Sequence, residues 1–384
     1  MLLTAIAMPL SFSTWQALLN NFAIEQAGFD GIRIGFLQSL REVPGLLSFT
    51  FVLLLVWFRE QPFALVSLLL LGIGTAITGL FPSIIGLYLT TVLMSTGFHY
   101  FEALHTSLAL QWTSKEAAPE VFGRIVSARS FAALVSFGAI YLALDFAAVP
   151  LVWVYMLGGG VTVAIAIFCW LAFPKIEAGS EQTKKIIFRR RYWLWYALTF
   201  VSGARRQIFV VFAGFLMVEK FGFSAAEMSL MFLANMAATI YLAPKIGRLI
   251  HRFGERRALI LEYLGLIVVF TSYAFVDQTW IAVGLYILDH MFFAMAIALK
   301  TYFQKIADPR DIAASSGVSF TISHIVAVVI PAAFGFLWVM SSSYVFLAGA
   351  AMAGVSLVLA LMVPRNPTPE QVTSFGVPAA AAAE

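Results

Sequence analysis

The sequence predicts an all-α polytopic membrane protein with twelve transmembrane helices in two six-helix halves. Apolar residues make up 61% of the 384 positions, charged residues only 11%, and the mean hydropathy is +0.90. This composition excludes a soluble globular domain. Charged residues, Pro and Gly divide the chain into apolar segments of about 20 residues, the length that crosses a bilayer. The predicted spans are 2–25, 32–58, 63–81, 84–111, 122–145, 151–173, 192–218, 225–246, 258–276, 280–303, 312–339 and 342–363.

The first span starts next to Met1 and carries polar residues near its far end, among them Gln16 and Asn20. No basic segment precedes it and no small-residue cleavage site follows its apolar core, as a removable signal peptide would require. We therefore expect it to be a permanent helix.

The distribution of Lys and Arg predicts the orientation. Among those that lie at the ends of the predicted spans or between them, nearly all fall on one side, and Arg33 and Lys220 fall on the other. By the positive-inside rule the crowded side is cytoplasmic, as are both termini, and a bacterial inner membrane is the expected location. The pI near 9.1 then reflects topology, so nucleic acid is not an expected partner. The basic linker 174–191 either stays solvated or contacts anionic membrane lipids.

Short internal matches indicate that the chain repeats itself. Residues 27–30, before the second span, match residues 221–224 before the eighth, and residues 86–88 match 284–286. The predicted organisation is a six-helix bundle over 1–173, the linker 174–191, a second six-helix bundle over 192–363, and a disordered tail over 364–384.

A compact basic hairpin, GRLIHRFGERR at positions 247–257, joins the eighth and ninth spans. A short turn with Gly at both bends and positive side chains suits a cytoplasmic connection. The hairpin residues with an expected gating or structural role are Gly247, Arg252, Gly254, Arg256 and Arg257.

This hairpin resembles the loop signature G-x-L-x-D-R-x-G-R-R of the major facilitator superfamily, with His251 in place of the usual acidic residue. The resemblance covers nearly the whole chain. It implies a secondary transporter in which two parallel six-helix halves rock about a central site near the midplane. It also implies that the first, fourth, seventh and tenth helices line the cavity, and that the hairpin acts in conformational cycling rather than in substrate choice.

The fourth span contains His99, Glu102 and His105 at one-turn intervals along one helix. A carboxylic acid placed there, near bases, is suited to take and release protons, so Glu102 with His99 and His105 is a candidate for proton coupling. A permanent ion pair between Glu102 and Arg129 of the fifth span is the equally weighted alternative. A His/Glu site for a carried metal cation is a third interpretation.

The seventh span places Arg205 and Arg206 near its middle, where the bilayer is most hostile to charge. Adjacent helical residues diverge by about 100°, so one guanidinium can face the cavity while the other needs a protein partner. Asp289 of the tenth span, with His290 beside it, is the expected partner and a further proton-coupling candidate. The cavity-facing Arg would fork onto an anionic group of the substrate. Alternatively, both arginines are locked in structural pairs.

Amide side chains complete the predicted substrate-binding set. Gln207 aligns by the repeat opposite the first span, near Gln16 and Asn20. These amides would hydrogen-bond a ligand or hold helices together. In the second span, Arg41 and Glu42 precede Pro44 and Gly45, which weaken the helix, so a gating or structural role is expected there.

The intramembrane charges favour transport of a small organic anionic or zwitterionic solute, coupled to protons or another ion by symport or antiport. Alternatives are a proton-driven multidrug exporter, since the chain has 36 Phe, and a metal-ion carrier. No H-E-x-x-H, G-x-S-x-G or phosphate-loop motif is present, so neither an enzyme nor a cofactor is expected. Cys169 is the single cysteine, so no cysteine metal site is expected either. The expected state is a monomer.

Overall fold

The structure is a computed structural model that describes residues 1–50, 54, 57, 59–112, 118–174, 189–308 and 312–374. Every regular element in this part of the chain is helical, which confirms the predicted all-α class. The helices are α1 Leu2–Asn21, α2 Gly31–Leu46, α3 Glu60–Thr78, α4 Ile84–Gln111, α5 Ala118–Asp145, α6 Leu151–Ala172, α7 Trp193–Ile208, α8 Gly214–Glu219, α9 Ala225–Phe253, α10 Glu255–Phe275, α11 Thr279–Ala294, α12 Ile297–Ile306, α13 Ile312–Met340 and α14 Ser342–Leu361.

Eleven segments of the described chain are long and apolar enough to cross a membrane. They correspond to all the predicted spans except the second, 32–58. There α2 runs from Gly31 to Leu46 and continues as a 3₁₀ segment, Leu47–Thr50, directly after Pro44 and Gly45. Most of 51–58 lies outside the described residues, which is why the second span is not counted.

The internal repeat has the same local structure in both copies. Gly28 and Gly222 both have positive φ, +62° and +68°, a conformation that favours glycine. The next residue in each copy, Phe29 or Phe223, donates its backbone N–H to a carbonyl six residues back and so closes the end of the preceding helix. The matching sequences therefore end one helix and start the next in the same way.

The helix that follows each repeated turn is capped by a side chain. The Asp30 carboxylate accepts the Arg33 N–H at 2.9 Å at the start of α2. At the start of α9, Ser224 and Glu227 form a reciprocal capping box, with N–H to side-chain distances of 2.8 and 3.2 Å. These caps fix where both helices begin.

By internal contacts the chain divides into two compact units. The first comprises Met1–Glu181 with Met217–Met236, and the second Gln182–Leu216 with Ala237–Glu384. Within the first, α3 packs on α4 and α6, and α1 packs on α5 and α6. A Cβ on Gly97 would collide with the backbone nitrogen of Leu71, and one on Gly159 with the carbonyl oxygen of Gly72. Small residues thus let these helices approach closely.

Within the second unit, α10 packs on α14, and α7 packs on α13 and α14. Two glycines here lie against aromatic rings: a Cβ on Gly265 would collide with the Phe292 ring, and one on Gly349 would approach the Phe270 ring to 2.6 Å. The rings fill the space that the missing side chains leave between helices.

The basic hairpin is shorter than its sequence predicted. Gly247 lies inside α9, which continues to Phe253, so the expectation of a glycine at both bends is wrong for Gly247. Gly254 alone separates α9 from α10, with φ +80° and ψ 160°. A single glycine in this conformation is enough to reverse the chain, so helix α9 has no need to stop at Gly247. The His251 side chain lies outside the described part of the structure.

Part of the C-terminal tail is held by hydrogen bonds. The Tyr302 hydroxyl donates to the Val372 carbonyl at 2.6 Å, and Arg191 Nη2 donates to the Pro369 carbonyl at 2.6 Å. The Ser374 N–H donates to the Met362 carbonyl at 2.7 Å. The predicted disorder is therefore not seen for residues 364–374. Residues 375–384, and 175–188 of the predicted linker, lie outside the described residues.

Candidate functional site

Arg205 in the last turn of α7 is fully enclosed by protein, with 1% of its side chain exposed. Its Nη2 donates to Glu262 Oε1 at 3.0 Å and to Ser202 Oγ at 3.3 Å. The guanidinium carbon also lies 5.0 Å from the centroid of the Tyr263 ring. A charge at this depth is tolerable only with such compensation, because desolvation of an unpaired ion costs several kcal/mol.

The partner of Arg205 is therefore Glu262 on α10, whereas the sequence pointed to Asp289. Glu262 has none of its side chain exposed. It lies inside the predicted ninth span, five residues after Arg257, close to the charges that end the basic hairpin. A carboxylate two turns inside an apolar helix was the signal that could have identified it.

Arg205 and Arg206 also line a cavity of about 70 Å³ within the second unit. The other lining residues come from the π segment that follows α7, from α10 and from α11. They are Phe209, Val210, Leu266, Phe270, Asp289, His290 and Phe293. Charged and polar groups thus share one small cavity with three aromatic rings.

The two adjacent arginines have different surroundings, as helical geometry requires. Arg206 is exposed, whereas Arg205 is buried. The Arg206 guanidinium carbon lies 4.7 Å from the centroid of the Phe293 ring, within cation–π distance. Of the two, Arg206 has the guanidinium that a solute can reach.

Asp289 is 5% exposed and lies in the cavity wall. Within the described residues its carboxylate takes part in no hydrogen bond or salt bridge, although Arg205 is near enough to act on it electrostatically. Its neighbour His290 is held in place, since Nδ1 lies 3.0 Å from the Tyr286 carbonyl oxygen. A carbonyl only accepts, so Nδ1 carries the proton and Nε2 is left as an acceptor.

Both helices that carry the cavity charges are interrupted beside it. A π segment, Phe209–Ala213, begins immediately after Ile208 of α7. Helix α11 ends at Ala294 and α12 begins at Ile297, and tight i→i+3 hydrogen bonds bridge the break. Such irregularities inside membrane helices are tolerated where protein or a cavity satisfies the backbone, and π-bulges occur often at functional sites.

The buried ion pair leaves polar atoms unused. Within the described residues, Arg205 Nη1 and Glu262 Oε2 are buried and have no hydrogen-bond partner. Buried polar atoms are normally paired with protein or with ordered water. Arg205, unlike Glu262, lines the cavity, which has room for roughly five waters if each needs about 15 Å³.

In the first unit, Glu102 is paired with Arg129. Arg129 Nη1 lies 2.7 and 2.9 Å from the two Glu102 oxygens, and Nη2 lies 3.2 Å from His105 Nδ1. His105 Nε2 lies 3.2 Å from the Met1 carbonyl, so Nε2 is the donor there and Nδ1 accepts from Arg129. The Glu102 side chain is 40% exposed. The alternative that the sequence offered, an ion pair between Glu102 and Arg129, is therefore present. The positive Arg129 guanidinium lies between Glu102 and His105 and would repel a metal cation there.

The remaining predicted residues take diverse positions. Arg41 pairs with Glu42, lies 5.8 Å over the Trp15 ring, and accepts a hydrogen bond from Ser95 at its carbonyl. His99 packs against Phe98. The further predicted side chains are half-buried Gln16, Gln207 and Arg256, buried Asn20, and exposed Arg252 and Arg257.

Next to Asn20, Asn21 makes the contacts that the sequence did not predict. Its amide donates to the Phe223 carbonyl at 2.7 Å and to Glu25 at 2.9 Å. It thereby anchors the turn that precedes α9.

Glu255 of the basic hairpin is buried, and Lys305 of α12 pairs with it at 2.7 Å.

Comparison with known proteins is consistent with this architecture. The structure is similar to the nucleoside transporter NupG, with a TM-score of 0.74, 14% identity, and coverage of 94% of this chain and 96% of that one. It is also similar to a bacterial homologue of the human lysosomal transporter Spinster in an inward-facing, unoccupied conformation, with a TM-score of 0.73, 13% identity, and coverage of 94% and 93%. At such identities the likeness shows the fold alone. No curated protein sequence matches the chain.

The sequence itself identifies the family. It matches the description "Major Facilitator Superfamily" over residues 1–331 and again over 197–383. The two matches together cover nearly the whole chain, and the helical membrane fold agrees with them. The chain therefore belongs to the major facilitator superfamily.

Proposed function

We propose that the protein is a secondary transporter that moves a small organic anionic or zwitterionic solute by alternating access, coupled to protons. The observation that carries this proposal is the unequal environment of two adjacent arginines. Arg205 is neutralised by Glu262, whereas Arg206 lies in the wall of a cavity and is accessible. A guanidinium is a bidentate donor matched to carboxylate or phosphate, so Arg206 binds the anionic group of the solute.

The other cavity residues support Arg206. Phe293 stacks beneath its guanidinium and limits the directions that the side chain can take. His290, held by the Tyr286 carbonyl, offers Nε2 as an acceptor. Gln207, Gln16 and Asn20 are the further amides that we assign to substrate binding.

Proton coupling is assigned to Glu102 with His99 and His105, and Asp289 is a second candidate. Glu102 is partly exposed, and its charge is held by Arg129. Protonation of Glu102 would remove that attraction and free the Arg129 guanidinium, which still touches His105. The ion pair would then serve as a switch between two arrangements of α4 and α5 rather than as a permanent bond.

The proposed location is the bacterial inner membrane, with both termini in the cytoplasm and a monomeric protein. The strong asymmetry of Lys and Arg between the two sides of the predicted spans supports this topology. The basic linker is assigned to the cytoplasmic side, where it would meet anionic lipid headgroups.

A multidrug exporter is the second candidate. Phe209, Phe270 and Phe293 line the same cavity and would suit an amphipathic cation by cation–π contact. Arg206 in that wall opposes a cationic ligand, which is why this function ranks second. A metal-ion carrier ranks third, because Arg129 occupies the space between Glu102 and His105.

The test is a thermal-shift screen of the full-length protein in detergent against small organic anions, zwitterions, lipophilic cations and divalent metals. A ligand that binds the folded state raises its melting temperature. We expect anionic or zwitterionic compounds to stabilise the wild type, and Arg206→Ala to lose this stabilisation while remaining folded. Arg205→Ala should instead lower the unliganded melting temperature, because Glu262 is left buried and unpaired.

Two outcomes would contradict the proposal. Equal, mild effects of Arg205→Ala and Arg206→Ala on ligand stabilisation would remove the anion-binding role of Arg206. Stabilisation by lipophilic cations alone, unchanged in Arg206→Ala, would favour the exporter.

A further inference from the structure

The chain that follows α14 turns back over the second unit beside the basic hairpin, and we call residues 364–374 the strap. The strap begins and ends at the C-terminus of α14. The Ser374 N–H donates to the Met362 carbonyl at 2.7 Å, and the Ser374 hydroxyl donates to the Val363 carbonyl at 3.0 Å. The strap is therefore a closed loop rather than a loose end.

Two side chains from other elements bind backbone carbonyls of the strap. Arg191 Nη2, next to the start of α7, donates to the Pro369 carbonyl at 2.6 Å, and the Tyr302 hydroxyl of α12 donates to the Val372 carbonyl at 2.6 Å. Tyr302 is one of the fully buried side chains of the protein. The strap thus connects the end of α14 with the start of α7 and with α12.

The attachment of the strap is polar and shallow. Residues 365, 366 and 368–371 are exposed, and the buried residues in this part of the strap are the two prolines Pro364 and Pro367. A segment with little buried apolar surface and with hydrogen bonds near solvent opens at low free energy, without unfolding of the helices beneath it. We therefore expect the strap to detach and reattach in the folded protein.

Helix α12 follows a break in the tenth predicted span. Helix α11 ends at Ala294 and α12 begins at Ile297, and i→i+3 hydrogen bonds bridge them, such as that from the Ala298 N–H to the Met295 carbonyl at 2.8 Å. Residues 291–299 contain neither Gly nor Pro and are mainly strong helix formers. Because Gly or Pro is the usual local cause of such an interruption, packing rather than the local sequence imposes this one.

The far end of α12 is held by three neighbouring elements. Phe303 stacks on Trp195 of α7 with ring centroids 3.7 Å apart, Lys305 pairs with Glu255 of α10 at 2.7 Å, and Tyr302 binds the strap. Helices α7 and α10 are long and packed inside the unit, whereas the strap is mostly exposed. Of the three neighbours, the strap is the one that can leave without disturbing the rest of the unit.

We propose that the strap holds α12 in the position that it has in this structure, and that α12 moves about the break at residues 295–296 when the strap detaches. The inference does not depend on the identity of the solute or on proton coupling. It bears on the cavity of the second unit, because Phe293 in the cavity wall lies two residues before the break. A movement of α12 would therefore change the cavity wall at that point.

The experiment measures access to the buried face of α12 by cysteine labelling of the full-length protein in detergent. Ala298→Cys in a Cys169→Ser background places one thiol at a fully buried position of α12, and Ala282→Cys places one at a fully buried position of α11. Mass spectrometry follows the rate of reaction with a maleimide. Tyr302→Phe, which removes only the hydroxyl that binds the strap, should speed labelling at position 298 at least threefold and leave position 282 unchanged.

Two further variants complete the comparison. Deletion of 364–384 removes the whole strap and should speed labelling at position 298 by more than Tyr302→Phe does. Tyr273→Phe is the matched control, since the Tyr273 hydroxyl makes the same kind of bond between α10 and α11, to the Ala282 carbonyl at 2.8 Å. It should leave labelling at position 298 unchanged. Gel filtration and unliganded melting temperature establish that each variant is folded.

The wild type supplies an independent test by hydrogen exchange. The amides of Gln371 and Ser374 are bonded in the strap, and the amide of Ala258 is bonded in the first turn of α10 beside it. We expect the two strap amides to exchange at least fivefold faster than the Ala258 amide. Equal rates would show that the strap does not detach on its own and would overturn the proposal.

The labelling results decide the rest. Unchanged labelling at position 298 in either Tyr302→Phe or the deletion would overturn the proposal. Equal acceleration at positions 298 and 282 would also overturn it, because the strap would then stabilise the unit as a whole rather than hold α12. Faster labelling confined to position 298 in both variants is the result that the proposal requires.

Discussion

At the scale of residues, the arrangement that matters most is the ion pair of Arg205 and Glu262. Both side chains are buried, and the Tyr263 ring covers the guanidinium. Removing two charges from water is expensive, and their attraction offsets the cost only while both are present. The pair therefore holds α7 against α10, while Arg206, one position along, faces the cavity.

Because the attraction offsets the cost only while both charges are present, replacing one member of the pair should destabilise the protein, and replacing both should restore most of that stability. Glu262→Gln should destabilise the protein by about 3 kcal/mol or more, because Arg205 is left charged without a counter-ion. The double variant Arg205→Met with Glu262→Leu should recover most of that loss, since two apolar side chains of similar size need no partner. The measurement is thermal unfolding in detergent, with intrinsic Trp fluorescence as the signal.

The control for this prediction is Arg206→Met, which changes the neighbouring arginine without breaking the buried pair. It should lower the unliganded stability by less than Glu262→Gln does, because it leaves no buried charge without its counter-ion. A double variant as unstable as Glu262→Gln would show that the pair contributes more than charge compensation.

At the scale of elements, the cavity depends on helices that are not continuous. The π segment after α7 and the break between α11 and α12 both lie next to cavity residues. Next to the cavity, helix α11 is in close contact with α10, because the Phe292 ring fills the space above Gly265. Phe293, the next residue, is the ring beneath Arg206. The glycine therefore helps to set the position of the binding site.

Gly265 does not itself line the cavity, but adding a side chain there should disturb the binding site. In Gly265→Ala the new Cβ would collide with the Phe292 ring, so the ring or the helix must shift. We expect a loss of about 1–3 kcal/mol in stability, typical of overpacking, and weaker ligand stabilisation in the same thermal-shift screen. Adding Phe292→Leu to Gly265→Ala should restore part of both.

Gly284→Ala is the matched control, because a Cβ on Gly284 of α11 meets nothing within 4 Å. It should be neutral or slightly stabilising, since alanine favours a helix over glycine by about 1 kcal/mol. If Gly265→Ala behaved in the same way as Gly284→Ala, the contact with Phe292 would not position α11.

At the scale of the whole molecule, the chain is built from two halves with a shared local design. The turns at Gly28 and Gly222 have the same backbone conformation and the same cap chemistry. The C-terminal segment 364–374 runs across helix ends of the second unit, where Arg191, Tyr302 and Met362 contact it.

This segment should contribute to stability in a way that the last residues do not. Deletion of 364–384 removes hydrogen bonds to Arg191, Tyr302 and Met362, each contributing about 0.5–1.5 kcal/mol. We expect a lower melting temperature and faster proteolysis near residue 191. Deletion of 375–384 is the control and should leave both unchanged. Identical behaviour of the two truncations would show that the segment is not held in solution.

Much of the fold was predictable from the sequence because the bilayer restricts the solutions. A spanning segment must be helical and apolar, so composition and spacing located most of the helices to within a few residues, although α9 continues to Phe253 and α2 ends at Leu46. The turns at Gly28, Gly222 and Gly254 were also predictable from the sequence, because their positive φ is a local backbone conformation that favours glycine. Gly247 was misassigned because a glycine can also continue a helix, and only the following residues decide which occurs.

The sequence by itself determined the class of protein, the family and the presence of two charges, Arg205 and Arg206, inside a predicted span, since these follow from local composition and motif. Only the tertiary structure decided how those charges are used. The partner of Arg205 is on α10, 57 residues away in the chain, and which carboxylate it meets depends on how the helices are rotated and packed. Periodicity gives the direction of a side chain from its own helix but not the helix that it faces. The same packing placed Asp289 in the wall of the cavity that Arg205 and Arg206 also line.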